Sequence, residues 1–349
     1  MTGSVLAADI GGTKLAVGLV GPDGQVVAAR RTATPPGGDA ETLWEALAGL
    51  IDHLIDDVGA PEGLAGVGAG CGGPMTWPAG EVSPLNIPGW RGFPLRERLA
   101  RRFPGLPVRI HNDAVCLAVA EHWRGAGRGS DNMLGMVVST GVGGGLILGG
   151  RLIDGGTGNA GHIGHVVVEP GGVLCGCGAL GCLEAVARGP GLAAWAVARG
   201  WSPGGLPEPG TGEPGKGEPR TGGYSGGYSE AGAATGRRLA ADAAAGDEIA
   251  LAAMARAGRA LGIAIASATN LCDLDVVTVG GGLSQAGPLL FDPLREALRE
   301  HTRMEFASRV RVVPAELGQD TGLVGAAALI LAAGSYWSAD ASRASGNRR

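Results

Sequence analysis

The chain has 349 residues, 45% of them hydrophobic, and a formal net charge of −5. This length and composition suffice for two domains with substantial cores, which excludes disorder throughout. The acidic balance argues against a broad nucleic-acid surface, which needs clustered Lys and Arg. No apolar stretch is long enough to span a bilayer and no export signal opens the chain, so we expect a cytoplasmic protein with a small-molecule partner, no nucleic acid and no membrane.

The first part of the chain alternates short apolar strands with helices. The patterns predict strands at 4–10, 15–20, 26–31, 64–70 and 108–111, and helices at 40–57 and 114–123. The second part repeats this organisation. It predicts strands at 133–139, 145–148, 275–279 and 309–313, and helices at 248–270, 288–300 and 323–333. Mixed strands with intervening helices indicate a two-domain α/β architecture.

Two polar segments are predicted to be disordered. Residues 200–234 are dominated by Gly, Pro, Ser, Thr and Glu, and residues 335–349 form a polar tail. We expect neither the insertion nor the tail to carry the function.

Three glycine-rich loops follow predicted strands. Asp9 ends the first strand and precedes Gly11, Gly12, Thr13 and Lys14, where glycine lets backbone N–H groups approach an anion. The other loops are 140–145 and 280–282. One such turn needs no ligand, but three on two halves of a chain indicate a nucleotide held between domains.

A fourth glycine run, residues 68–73, matches the dinucleotide pattern G-x-G-x-x-G. Pro74 and Pro78 follow it, so no helix N-terminus is available for a pyrophosphate. We interpret it as a close-packed loop lining a cleft. The chain also has no G-x-x-x-x-G-K-[ST] phosphate loop.

Asn112 and Asp113 lie where a strand runs into a helix. Asp113 is a candidate helix N-cap and also a candidate general base, because phosphoryl transfer needs a carboxylate within reach of the attacking hydroxyl. Both roles are compatible.

Three thiols lie within eight positions, at Cys175, Cys177 and Cys182, downstream of His162 and His165. Three cysteines among glycines plus one imidazole are typical of a structural Cys3His zinc site, which leaves no open position for a zinc-bound water. A disulfide framework is the poorer interpretation because nothing suggests export.

Five motifs in this order resemble the ROK family of sugar kinases and sugar-responsive repressors. They are Asp9-Ile-Gly-Gly-Thr-Lys14, Asn112-Asp113, Ser139-Thr-Gly-Val-Gly-Gly-Gly145, Gly161-His-Ile-Gly-His165 and Cys175-Gly-Cys-Gly-x-x-Gly-Cys-x-Glu184. The resemblance implies an actin-like (ribonuclease H-like) fold of two α/β domains, with ATP and Mg2+ in the cleft and a sugar deeper down. We expect a small domain at 1–113, a larger one at 114–319, and a final helix at 320–334 that packs back on the first.

The resemblance also implies roles for individual residues. Asp113 would be the catalytic base for the sugar 6-hydroxyl, and Asp9 would lie near the metal. Phosphates would contact Gly11, Gly12, Thr13, Lys14, Thr140, Gly141, Gly143 and Gly144, and adenosine would contact Gly280, Gly281 and Gly282. The structural Zn2+ would be held by His165, Cys175, Cys177 and Cys182, and the sugar by Asn86, Asn112, His162, His165 and Glu184. We also expect a homo-oligomer, either a dimer or a tetramer.

One position departs from the glucokinases of the family, most of which carry Glu where this chain has His162. A neutral His offers one donor and one acceptor, which suits an acetamido group at C2 at least as well as a hydroxyl. N-acetylmannosamine kinases of the family show a similar Gly-His-Ile-Gly-His, whereas the loop from Asn86 to Trp90 looks more like that of a glucokinase. Packing without ligand contact is the alternative for His162. We place glucose slightly ahead of an N-acetylhexosamine, with either ATP or polyphosphate as donor.

Two other functions fit the sequence less well. A repressor of the family carries a helix-turn-helix domain ahead of the first motif, and only eight residues precede Asp9 here. A sugar-binding protein without catalysis would not need Asp9, Lys14, Asp113 and all three glycine loops together.

Overall fold

The computed structural model describes residues 3–59, 63–204 and 234–337. Within them lie two five-stranded sheets and a small hairpin. The strands of the first sheet are β1 (Val5–Ile10), β2 (Lys14–Val20), β3 (Val26–Ala33), β4 (Gly66–Cys71) and β7 (Val108–Asn112), and the hairpin is β5 (Met75–Thr76) with β6 (Glu81–Val82). The second sheet contains β8 (Met133–Val138), β9 (Val142–Leu148), β10 (Arg151–Leu152), β11 (Val276–Gly280) and β12 (Arg311–Pro314).

Helices cover both sheets. They are α1 (Ala40–Val58), α2 (Leu95–Arg102), α3 (Asp113–Arg124), α4 (Leu183–Ala187), α5 (Gly189–Val197), α6 (Gly236–Ala244), α7 (Glu248–Cys272), α8 (Pro288–His301), α9 (Thr321–Leu331) and α10 (Ala333–Tyr336). The helix at 40–57 was predicted from its apolar stripe, and Leu43, Leu47 and Leu54 of α1 are indeed buried.

The two sheets share one topology. The first has the order β3-β2-β1-β4-β7 and the second β10-β9-β8-β11-β12. In each, three neighbouring strands pair in parallel, and the two strands at one side are added by successive antiparallel pairings. The carboxyl ends of the parallel strands therefore meet at one edge of each sheet, where α/β proteins place their ligand sites.

Helix α9 returns from the end of the chain to the first sheet. Its Leu323 and Ala326 share an apolar cluster with Val5 and Ala7 of β1. The approach is close: a Cβ on Gly68 of β4 would lie 1.9 Å from the Ala326 carbonyl oxygen. Two of the four glycines in the G-x-G-x-x-G run, Gly68 and Gly70, thus serve close packing against neighbouring residues.

Helix α7 is long and apolar enough to cross a membrane by composition alone. In its most apolar 18-residue window, however, 61% of the residues are buried in the protein. Ala257, Leu261 and Ile265 of α7 belong to the core on the second sheet. We therefore interpret α7 as a helix of the protein core.

The predicted disordered segments need correction at their edges. Trp201 is 2% exposed, and its Nε1–H donates to the Asp242 carboxylate at 3.1 Å. Tyr336 is also 2% exposed and lies in α10. Burial of these aromatic rings supplies the apolar contact that orders residues 200–204 and 335–337. The rest of both predictions, on 205–233 and 338–349, lies outside the described residues.

Candidate active site

The first part of the site lies at the carboxyl edge of the first sheet. Asp9 of β1 is in register with Gly70 of β4, and Cys71 of β4 with Asn112 of β7. Asp113 begins α3 directly behind β7. Two of the predicted acids, Asp9 and Asp113, are therefore brought together at one edge.

The N-cap of α3 is Asn112, which corrects the expectation for Asp113. The Asn112 side-chain oxygen accepts from the Ala114 N–H at 2.9 Å. Asp113 is the first helical residue, and its Oδ1 accepts from the same N–H at 2.8 Å. Asn112 already has the extended backbone that an N-cap needs, so the cap falls one residue earlier.

Burial dominates the electrostatics of Asp113. Removal from water, and then the negative charge of Asp9, raise the pKa of Asp113 to about 6. Burial also raises the pKa of Asp9, against the opposing effects of Lys14 and Arg31. A carboxyl with a pKa near neutrality is suited to proton transfer.

The turn between β1 and β2 carries the first glycine pair. The Gly11 N–H donates to the Lys14 carbonyl at 3.0 Å, and the Thr34 hydroxyl donates to the Gly11 carbonyl at 2.6 Å. Gly11 is thus committed to the turn and does not offer its N–H to an anion. The side chains of Thr13 and Lys14 are exposed at the tip.

The second glycine loop is shorter than predicted. Strand β9 already begins at Val142, so Gly143 and Gly144 lie in the sheet, and only Thr140 and Gly141 remain in the turn. The reason is close packing, since a Cβ on Gly143 would lie 2.6 Å from Cβ of Ala114 in α3. These glycines let α3, and with it Asp113, approach the second sheet.

Glu184 joins this loop to the zinc motif. Its Oε2 accepts from the Val142 N–H at 2.9 Å, and a Cβ on Gly141 would lie 2.8 Å from the same oxygen. Gly141 therefore leaves room for the carboxylate of Glu184.

The third loop closes the edge of the second sheet. Gly280 ends β11, and Gly281 has a φ of +92°, a conformation that favours glycine. A Cβ on Gly281 would lie 2.4 Å from the Val138 carbonyl at the end of β8. The loops at 139–141 and 281–282 are consequently neighbours.

Three predicted sugar contacts converge on Gly72 and Gly73. A Cβ on Gly73 would lie 2.8 Å from Asn112 Nδ2 and 3.4 Å from His162 Nε2, and one on Gly72 would lie 3.0 Å from Asn86 Oδ1. The absence of side chains at both positions lets these amide and imidazole groups approach the backbone of residues 72–73 closely.

His162 has an unpaired polar atom beside Gly73. Its Nε2 is buried and has no hydrogen-bond partner among the described residues. Burial, the neighbouring His165 and, last, His111 lower the pKa of His162, while Glu184 acts in the opposite sense. An orphaned buried nitrogen is costly unless a ligand or water satisfies it.

The predicted zinc ligands form a cluster. The ligand atoms of His165, Cys175, Cys177 and Cys182 all lie within 4.8 Å of one another. Cys177 Sγ is 3.7 Å from Cys182 Sγ, and Cys175 Sγ is 3.8 Å from His165 Nδ1. Tetrahedral zinc with Zn–S bonds of about 2.3 Å requires sulfur separations of about 3.8 Å. The donor set and its spacing therefore fit Zn2+.

One group next to the site was not predicted. His111, one residue before Asn112, is 1% exposed and lies 3.1 Å from the Asp154 carboxylate through its Nε2. Asp154 also accepts from the Trp337 indole N–H at 2.7 Å. The only signal in the sequence was the adjacency of His111 to the candidate base.

Comparison with known proteins gives concordant matches. The model of the ROK family matches residues 5–333. A glucokinase from Thermotoga maritima is 35% identical over 331 residues, covering 93% of this chain and 96% of its own. An N-acetylmannosamine kinase from Yersinia pestis is also 35% identical, over 330 residues, covering 93% and 97%. The crystal structure of a ROK family glucokinase from Streptomyces griseus, in complex with glucose and AMPPNP, superposes with a TM-score of 0.76 at 33% identity, covering 94% of this chain and 99% of that one.

Proposed function

Because the chain belongs to the ROK family, we propose that it is an ATP-dependent hexose kinase that transfers the γ-phosphate of ATP to the 6-hydroxyl of glucose. The expected actin-like α/β fold and sugar-kinase family are confirmed by the matched structures and relatives. The observation that carries the proposal is Asp113, a carboxyl with a pKa of about 6 that directly follows Asn112, whose amide approaches Gly73 together with His162.

In the proposed reaction Asp113 accepts the proton of the attacking hydroxyl. The Ala114 N–H holds Oδ1 and so fixes the plane of the carboxylate. Asn112, Asn86 and His162 bind and orient the sugar hydroxyls, and Glu184 fixes the nearby turn at Gly141. Positioning and charge stabilisation account for most of the catalysis of phosphoryl transfer, and a general base contributes typically 100- to 10,000-fold.

The nucleotide contacts are proposed from the three loops. Lys14, Thr13 and the N–H of Gly12 would meet phosphate oxygens, and Thr140 with Gly141 would do so from the second sheet. Gly281 and Gly282 would lie by the adenosine. Asp9 would bind Mg2+, because its carboxylate is half-buried and carboxylate oxygens are ligands that Mg2+ prefers. Bound ATP and Mg2+ would supply the phosphoryl group and neutralise its charge.

Zinc is proposed as a structural ion. Its four candidate ligands leave no open position, so the ion would take no part in the chemistry. It would fix the segment from His165 to Cys182, which ends two residues before Glu184.

The alternative substrate is N-acetylmannosamine or another N-acetylhexosamine. Sequence identity does not distinguish between the two substrates, because the glucokinase and the N-acetylmannosamine kinase are both 35% identical to this chain. The orphaned Nε2 of His162 favours the alternative, since it can pair with an acetamido group.

The proposal includes a homo-oligomer and a domain boundary at Asp113. Exposed apolar side chains at Val173, Leu174 and Leu180 of the zinc segment support a contact between copies. The packing of α9 on the first sheet supports assigning that helix to the first domain. Sedimentation velocity at several concentrations tests the oligomer.

The deciding experiment measures ADP release by a coupled assay with glucose, mannose, N-acetylglucosamine and N-acetylmannosamine. We expect the largest kcat/KM with glucose. A preference for an N-acetylhexosamine would establish the alternative substrate. Turnover with polyphosphate in place of ATP would identify polyphosphate as a phosphoryl donor. No turnover with any of the four sugars would overturn the proposed function.

A further inference from the structure

Two hydrogen bonds through one carboxylate join both sheets to the end of the described chain. His111 is the penultimate residue of β7 in the first sheet, Asp154 follows β10 of the second, and Trp337 follows α10. His111 Nε2 lies 3.1 Å from Asp154 Oδ1, and Asp154 Oδ2 accepts from the Trp337 indole N–H at 2.7 Å. His111 is 1% exposed and the Asp154 side chain 18%. None of the three belongs to the proposed catalytic or ligand-binding set.

The segment after Asp154 also contacts the β5–β6 hairpin. The Asn159 side chain accepts from the Met75 N–H at 3.2 Å and donates to the Met75 carbonyl at 3.0 Å. The Trp77 ring lies 5.4 Å from that of His111, centroid to centroid. His111 is therefore held from several directions beside the start of α3.

The hydrogen bonds of His111 fix its protonation. The Asn112 backbone N–H donates to His111 Nδ1 at 2.8 Å, so Nδ1 carries no proton. The ring is then neutral with its proton on Nε2, and this N–H donates to Asp154. Asp154 accepts from His111 through one carboxylate oxygen and from Trp337 through the other.

We propose that His111, held as its Nε2–H tautomer by Asp154, is a positioning residue that fixes the Asn112–Asp113 segment for catalysis. The inference rests on the proposed function, in which Asn112 contacts the sugar and Asp113 is the base. The Asn112 N–H is buried where the strand ends, and Nδ1 of His111 is its acceptor. If Nδ1 carried the proton, this N–H would face another donor and the segment would shift.

Asp154→Asn tests the tautomer because an amide has one accepting and one donating end. If its oxygen faces His111, its NH2 faces the Trp337 N–H. If its NH2 faces His111, the ring must protonate Nδ1 and oppose the Asn112 N–H. Trp337→Phe removes the first conflict, so the double variant can turn its oxygen to His111 and keep the native tautomer.

We expect Asp154→Asn to lower kcat by about tenfold, the effect of one frustrated buried hydrogen bond, with the KM for ATP within about twofold of wild type. Trp337→Phe alone should retain kcat within about twofold, because water can reach the partly exposed Asp154. The double variant should recover most of the kcat that Asp154→Asn loses. A merely structural role for Asp154 predicts the opposite order, with the double variant worst in both kcat and Tm.

The tautomer is measured independently of activity by long-range 15N–1H NMR on protein labelled at histidine, with His111→Gln to assign the resonance. We expect a neutral ring protonated at Nε2. A ring protonated at Nδ1, or a kcat for Asp154→Asn equal to that of an active wild type, would overturn the positioning role. A wild type that phosphorylates none of the four sugars would overturn the proposed function instead.

Discussion

Glu184 Oε2 accepts a hydrogen bond from the Val142 N–H at 2.9 Å. This contact links the segment that carries the candidate zinc ligands to the first residue of β9. Because β9 packs against α3 through Gly143, a displacement of Glu184 would also shift α3, the helix that starts with Asp113. The zinc site and the proposed base are thus connected through one carboxylate and one strand.

The purified protein is expected to hold one zinc ion per chain, measured by plasma emission spectrometry. Cys177→Ala removes one of four ligands and should lower zinc content and kcat/KM together, because the segment before Glu184 loses its anchor. Cys272→Ala is the matched control, since Cys272 lies in α7 outside the cluster. Full activity in protein shown to be free of zinc would contradict this role.

Asp113→Asn should lower kcat by at least about a hundredfold, because the amide cannot accept the hydroxyl proton. Sugar binding measured by titration calorimetry should change little, since the amide oxygen can still accept from the Ala114 N–H. Asp56→Asn, on the exposed face of α1, is the control for removing one negative charge. Near-normal kcat in Asp113→Asn would refute the assignment.

Activity should fall on the acid side with an apparent pKa near 6. Burial and Asp9 raise the pKa of Asp113 to about 6, so the carboxylate that accepts the proton is present above this pH and is lost as pH falls through it. The measurement is log kcat/KM for the sugar against pH, with saturating ATP. An acid limb near pH 4, the value of an ordinary carboxyl, would show that Asp113 is not the titrating group.

His162→Glu should shift preference toward glucose. The substitution restores a carboxylate with two accepting oxygens beside Asn112, and one rearranged hydrogen bond supplies roughly tenfold, about 1.4 kcal/mol, in the ratio of kcat/KM for glucose to that for N-acetylmannosamine. The KM for ATP should stay nearly unchanged. An unchanged sugar ratio would mean that His162 only packs and that the loop from Asn86 to Trp90 sets the preference.

A pair of glycine substitutions tests the packing of α3 on α9. A Cβ on Gly325 would lie 1.9 Å from the Cys116 carbonyl oxygen, so Gly325→Ala forces the helices apart and should lower the free energy of unfolding by about 1–3 kcal/mol. Gly49 lies in α1 with open space around it, and Gly49→Ala should raise that energy by about 1 kcal/mol. Urea denaturation measures both, and equal effects of the two changes would contradict the packing argument.

The sequence was sufficient to predict the longer strands and the long helices because their signals are local, whereas the two-residue strands β5, β6 and β10 were not predicted. The apolar stripe of α1 and the runs of β1 and β8 lie within single segments. Asp9 and Asp113 were likewise found by their positions after strands, and the parallel register then brings them to one edge.

Other features depend on partners distant in the chain and were missed for that reason. Gly143 looks like part of a loop until α3 is known to lie against it. His111 pairs with Asp154, 43 positions away, and Asp154 with Trp337, 183 positions away. No local pattern marks such pairs, and the short helices α4 to α6 are stabilised by similar long-range packing.

The return of α9 to the first sheet also has a consequence for synthesis of the protein on the ribosome. About 200 residues separate the end of β7 from the start of α9. At roughly 5–20 residues per second, the apolar face of β1 that α9 covers would stay uncovered for about 10–40 s after its own sheet has emerged. We therefore expect this apolar face to be exposed during translation, and the docking of α9 to complete the fold after synthesis.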